Sequence, residues 1–159
     1  MTVNLSENHP KMQSFLESHN VGILATASKL GVPHAATMYF VIGPNFQIHF
    51  VTRQDTTKHR NISENPQVAL AIFDAASQTT VQAMGTVEEV TDTALQANIY
   101  NQVLAITKGT SGNHQPPLTK LDAGKYITYQ LKPRTLRMAE FIKAEYPPVD
   151  QIFEIAIPG

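Results

Sequence analysis

The first apolar positions to form a pattern are Met12, Phe15, Leu16 and His19, whose spacing of three and four residues puts them on one side of a helix. Pro10 stands where a first helical turn tolerates it, and Asn20 reads as the stop. From Val21 to Val90 the rhythm changes to short apolar runs separated by turn residues, rich in β-branched and aromatic side chains. Val21–Ser28 is nearly all small or apolar, as in a strand covered on both faces. After a turn at Lys29–Leu30–Gly31, the run Pro33–Ile42 alternates Met38, Phe40 and Ile42 against Thr37, Tyr39 and Val41. Gly43–Pro44–Asn45 reads as a hairpin connection, beyond which Phe46, Ile48 and Phe50 alternate with Gln47, His49 and Val51.

Asp55–Asn65 breaks the strand pattern. Asp55 and Thr56 are able to cap a helix, and Ile62 is its one large apolar side chain, which predicts a short surface helix. Strand character returns at Gln67–Phe73 and Thr79–Val90, a second hairpin. A longer helix is expected over Thr93–Lys108, capped by Asp92, ended by Gly109, and burying Leu95, Ile99, Val103 and Ile106. Gly109–Asp122 reads as a mobile loop, and Lys125–Leu131 and Thr135–Ile142 as two strands divided by a turn at Lys132–Pro133–Arg134. In the tail, Ile152–Ile157 alternates like one more strand. These elements predict a single, mainly β domain over residues 1–159, an antiparallel barrel with flanking helices. Side chains fill small barrels, so a ligand is expected in a surface groove, at a loop end or between subunits.

Twelve Lys plus Arg against thirteen Asp plus Glu leave a net charge of −1, which offers no field for holding nucleic acid or an acidic membrane surface. With no Cys, disulfides, zinc ribbons, iron–sulfur ligation and thiol nucleophiles drop out together. No apolar run approaches the roughly 20 residues of a membrane helix, and MTVNLSENHPK lacks a secretory signal's layout, so a cytoplasmic protein is expected.

Candidate chemistry concentrates at the junction Phe50-Val-Thr-Arg-Gln-Asp-Thr-Thr-Lys58, where a strand ends in hydroxyls and two cations and enters a helix. Amides of a first helical turn favour anions, and Arg53, Thr56, Thr57 and Lys58 are suited to completing a phosphate cradle. The same residues also describe an ordinary capped surface helix with solvated Lys58 and Arg60. His34, His49 and His59 are isolated, without metal-ligand spacing, so no metal site is assigned. A nucleophile elbow, a Walker loop and a dinucleotide-binding glycine turn are all missing, and no catalytic residue is assigned.

From about Phe15 to Phe141 the chain resembles the flavin-binding split-barrel superfamily of pyridoxamine 5'-phosphate oxidase-like proteins, especially its small general-stress-protein-like members. The resemblance is carried by Val21-Gly-Ile-Leu-Ala-Thr26, Gly31-Val-Pro-His34 leading into Thr37-Met-Tyr-Phe40, Ile48-His-Phe-Val-Thr52 with Thr57-Lys58, and Glu64-Asn-Pro66 before Val68-Ala-Leu70. Gly85-Thr-Val-Glu88 and Tyr129-Gln-Leu-Lys-Pro133 extend it. It implies a six-stranded antiparallel Greek-key split barrel, a homodimer with FMN in the interface grooves, and an FMN-dependent oxidoreductase that could draw on a nicotinamide donor. On this likeness Lys58 grips the phosphate, Thr57 hydrogen-bonds it and Arg53 adds charge. Thr52 lies beside the ring or ribityl chain, and the backbone at Thr37 and Met38 lines the ring.

The departures bear on the reaction. The vitamin-B6 oxidases resembled here carry an Arg near the position of Ala36–Thr37, an Arg where this chain has Thr57, a Gln where it has Thr80, and a carboxyl-terminal Arg and His motif that it lacks. Oxidation of pyridoxamine phosphate is therefore not expected. A flavin-binding stress or regulatory protein without turnover is the alternative. Relatives binding deazaflavin or haem add two further ligands, haem requiring an axial donor such as His34 or His49.

Overall fold

The computed structural model describes residues 5–108, 125–141 and 151–157. In chain order its elements are α1 (Leu5–Ser18), β1 (Val21–Ala27), β2 (Pro33–Tyr39), β3 (Val41–Ile42), β4 (Ile48–Arg53), α2 (Thr57–Glu64), β5 (Gln67–Asp74), β6 (Thr79–Glu89), α3 (Thr93–Lys108), β7 (Tyr126–Glu140) and β8 (Gln151–Ala156). The expected loop at 109–122 lies outside the described residues.

All pairings are antiparallel, and the sheet runs β2-β1-β5-β6-β7-β4-β3 with β8 added on β7. Its two ends, β2 and β3, are successive pieces of one bent run interrupted at Phe40, so the sheet curls round until its ends meet through the chain itself. Counted that way six strands make the circuit, as expected of a split barrel. The surplus comes from the break at Phe40, where the single strand read over Pro33–Ile42 divides, and from β8. Phe40 is buried and its N–H is donated to Asn20 O at 3.0 Å, so this residue turns the run from β1 toward β4.

Inward-facing Leu24, Met38, Ile48, Phe50, Leu70, Ile72, Val81, Leu131 and Leu136 fill the barrel, and α1 closes one side with Met12, Phe15 and Leu16. Pro10 lies inside α1, which starts earlier than its sequence suggested. A smaller cluster, Val51, Val90, Ile99 and Val103, forms where α3 covers the outside of β4. The buried stripe of α3 is Ile99, Val103 and Thr107, while Leu95 is exposed, contrary to expectation, and Ile106 half-buried. Helical spacing permits several apolar stripes, and the positions of Val51 and Val90 select one of them.

The expected turn at Lys132–Arg134 is instead a bulge within β7. Met84 faces Thr135 and Gly85 faces Pro133, which leaves Arg134 unopposed. Pro133 has no N–H to contribute to a ladder, and a bulge is where a strand accommodates that loss. Gly85 completes the device, because a Cβ there would collide with the carbonyl of Lys132.

Candidate functional site

The β3–β4 hairpin pairs Val41 with His49 and Ile42 with Ile48. Extended backward, that register would set Tyr39 against Val51 and Thr37 against Arg53. Among the described residues, however, no ladder joins β2 to β4, and β2 pairs with β1 along its other edge. The main chain along the split follows from two bonds: Phe40 N–H goes to Asn20 O on the β1 side, and Gly43 N–H goes to Gln47 O on the β4 side. Strand alternation then aims the N–H and C=O groups of Thr37 and Tyr39, and those of Val51 and Arg53, into the gap.

A cavity of about 130 Å³ occupies this gap, lined by Thr37, Met38, Tyr39, Val51, Thr52, Arg53, Thr56, Lys58 and Tyr126. Five of the six residues singled out in the sequence, namely Thr37, Met38, Thr52, Arg53 and Lys58, are thus brought together. Thr57 is not among the lining residues; it is the exposed first residue of α2. The neighbouring hydroxyl, Thr56, takes the wall. As N-cap it accepts from His59 N–H at 3.3 Å and donates to Arg53 O at 2.9 Å, with Thr52 Oγ1 3.2 Å away. This anchors the helix start to the strand end and leaves the first-turn amides of Thr57 and Lys58 without intrahelical acceptors.

Three contacts fix α2 over the barrel mouth. Ile62 enters the core, as expected, and so does Asn61, whose amide donates to Thr26 Oγ1 at 3.0 Å. His59 Nδ1 lies 2.7 Å from the Tyr129 hydroxyl, a phenol that burial pushes above its ordinary range. Neither polar contact was visible in the sequence, because both join residues far apart along the chain. Tyr126 escaped notice for the same reason, since it reaches the cavity only through the pairing of β7 with β4, where it faces Arg53.

The two cations differ sharply. Arg53 makes a two-pronged pair with Asp55, Nε to Oδ1 at 3.0 Å and Nη2 to Oδ2 at 2.5 Å. Lys58 is half-buried and has no carboxylate partner among the described residues, and burial pushes its ammonium below its ordinary value. Charge held partly out of water without a counterion is costly, and an arriving anion relieves that cost.

His49 and His34 lie away from this cavity. His49 is buried, its Nε2 donates toward Gln130 Oε1 at 3.2 Å, and its ring lies against Gly43, where a Cβ would collide with it. Among the described residues no group of three or more His, Asp or Glu side chains could hold a metal ion, and no helix is long and apolar enough to cross a membrane.

The sequence pattern of the family described as pyridoxamine 5'-phosphate oxidase matches residues 9–137. The chain belongs to that family. Among solved structures, the General Stress Protein 26 of Bacillus anthracis aligns at a TM-score of 0.61 with 19% identity, covering 81% of this chain and 91% of its own. An F420 reductase aligns at 0.58 with 25% identity, covering 78% and 94%. HutZ, the haem storage protein of Vibrio cholerae, aligns at 0.61 with 16% identity, covering 78% and 88%. No curated protein matches. Members of the pyridoxamine 5'-phosphate oxidase family thus share this split barrel with proteins named for quite different ligands.

Proposed function

We propose that this family member binds FMN and works as an FMN-dependent oxidoreductase on a small molecule, with a nicotinamide as electron donor. The observation that carries the reading is Lys58, a half-buried cation lacking a carboxylate partner among the described residues, at the end of a cleft edged by open strand backbone. Lys58, the free amides of the first turn of α2 and the Thr56 corner would hold the phosphate. The main-chain groups of Thr37, Tyr39 and Val51 would meet the donors and acceptors along the ring edge, with Met38 and Thr52 beside the ring or ribityl chain. Bound FMN supplies the hydride and electron chemistry, which suits a chain to which no nucleophile, acid–base pair or metal site is assigned. The protein's part is to clamp, orient and partly cover it.

A single copy covers it incompletely. The 130 Å³ cavity is well below the roughly 300–1,000 Å³ usual for a small-molecule site. Beside it the outer face of β1, β5 and β6 exposes Ile23 (52%), Phe73 (59%) and Met84 (42%). Ile23 stands between Thr37 and Ala71 in the register, so this apolar face is continuous with the cavity wall. We infer a homodimer in which a second copy packs there and completes the flavin site. Oxidation of pyridoxamine phosphate lies outside the reading, since Ala36, Thr37, Thr57 and Thr80 leave its expected charged and amide groups unsupplied.

The test is the absorbance spectrum of protein incubated with FMN, haem or the deazaflavin F420 in parallel and passed through gel filtration. Flavin bands co-eluting with the protein are expected. Retention of haem or the deazaflavin F420 in preference to FMN, or of none of the three, would overturn the assignment.

A further inference from the structure

Asp55 immediately precedes the N-cap of α2, where the helix dipole stabilises negative charge, and its carboxylate holds the guanidinium of Arg53 by two donors. Two of the attractions that a phosphoryl group would find at this corner, the helix dipole and the Arg53 guanidinium, therefore already act on a side chain of the protein. The pair is not sealed. The Asp55 side chain is 63% exposed and that of Arg53 29%, so water competes for the bond and a pair this wet is weak. Arg53 also lines the cavity that Lys58 enters, whereas Asp55 does not. Among the described residues the charged groups around the corner are Arg53, Lys58 and Asp55, with exposed Arg60 further along α2 and exposed Lys125, whose carbonyl accepts the Gln54 N–H at 3.0 Å, at the edge of β7.

We propose that Asp55 is an internal competitor of the ligand's phosphate, which sets the affinity and the charge selectivity of the site. A phosphomonoester dianion brings twice the charge of the carboxylate and draws Arg53 away from Asp55 toward itself, so that Arg53 and Lys58 grip it from two sides. A ligand with one negative charge, or none, leaves Arg53 where it is and meets Lys58 alone, with Asp55 repelling any anion. This rests on the phosphate assignment above and adds to it a residue that opposes binding. Ordinary structural residues of a binding site favour binding; Asp55 opposes it while stabilising the helix start.

The experiment titrates FMN and phosphate-free riboflavin into wild type, Asp55→Asn, Arg53→Gln, the double variant and Lys58→Ala, following flavin fluorescence, with thermal melts of each protein in the absence of flavin. Asp55→Asn is expected to bind FMN about three- to tenfold more tightly while leaving riboflavin unchanged, and to melt at a lower temperature than wild type. In the Arg53→Gln background most of that gain should vanish. FMN affinity unchanged or weakened by Asp55→Asn, while Lys58→Ala still weakens it, would sink the competitor role and leave the phosphate site standing. An equal gain for riboflavin would also sink it, because the effect would then have nothing to do with phosphate. FMN affinity indifferent to Lys58→Ala would overturn the phosphate site and the competitor together.

Discussion

Removing the ammonium of Lys58 is the perturbation that reaches furthest into this reading. The side chain is half-buried at the end of the cleft, and its depressed basicity comes from burial alone, with no carboxylate among the described residues to compensate. A charge-assisted bond from such a group to a phosphate contributes about 1.5–3 kcal/mol. At about 1.4 kcal/mol per tenfold in affinity, its loss should weaken FMN binding by about one to two powers of ten, and exposure of the other half of the side chain favours the smaller figure. Lys58→Ala also removes the cost of keeping a cation without a carboxylate partner among the described residues partly out of water, so the protein without flavin should be no less stable than wild type. The assay is a fluorescence titration with FMN and riboflavin at two ionic strengths. FMN affinity should drop at least tenfold, riboflavin affinity should hold within about twofold, and the salt dependence of FMN binding should shrink, because added salt screens the charge that has been removed. Equal losses for both flavins would mean that Lys58 merely shapes the cleft. No loss for either would refute the phosphate assignment.

Gly85→Ala should destabilise the fold by about 2–4 kcal/mol in denaturant titration, since the new Cβ meets the immovable carbonyl of Lys132 at the β6–β7 bulge; a change under about 0.5 kcal/mol would show that the bulge can give way. Burial holds the His49 imidazole below its ordinary value of 6.5, only partly offset by its bond to Gln130. The unfolded chain therefore takes up a proton near that pH while the folded one resists, so stability should fall as the pH drops through and below 6.5. His49→Gln should flatten that slope in urea melts, and an unaltered slope would assign it to other groups. Ile23→Glu places a charge in the exposed apolar face of β1 beside Thr37, and should yield a folded monomer by sedimentation with FMN retention lost; a dimer that survives would move the interface elsewhere.

Much of this architecture was legible along the chain because it depends on neighbours a few residues apart. The strand through Ile48 and Phe50, the cap at Thr56 and the stripe through Met12, Phe15 and Leu16 are short-range facts of spacing, and the structure holds each of them, although His49 and Val51 on the other side of β4 are buried as well. Where local rules misled, a long-range pairing had overridden them. Lys132-Pro133-Arg134 carries turn residues, yet β6 pairs on either side of it and absorbs the proline as a bulge. The face of α3 could be drawn through Leu95 until the positions of Val51 and Val90 chose otherwise. Thr57, which the family resemblance sets at the phosphate, is the exposed first residue of α2, while Thr56 lines the cavity.

The sequence by itself determined which chemistry is present where β4 meets α2: two cations, a run of hydroxyls and a helix start, because charge, capping and helix polarity are properties of adjacent residues. Tertiary structure decided what that chemistry faces. Among the described residues it left β2 and β4 without a ladder to each other so that their backbone opens into a cleft, brought Tyr126 to its wall and pinned α2 down through Asn61 and His59. Each of these joins residues distant along the chain, and strand pairing across such distances is settled by how the whole sheet closes.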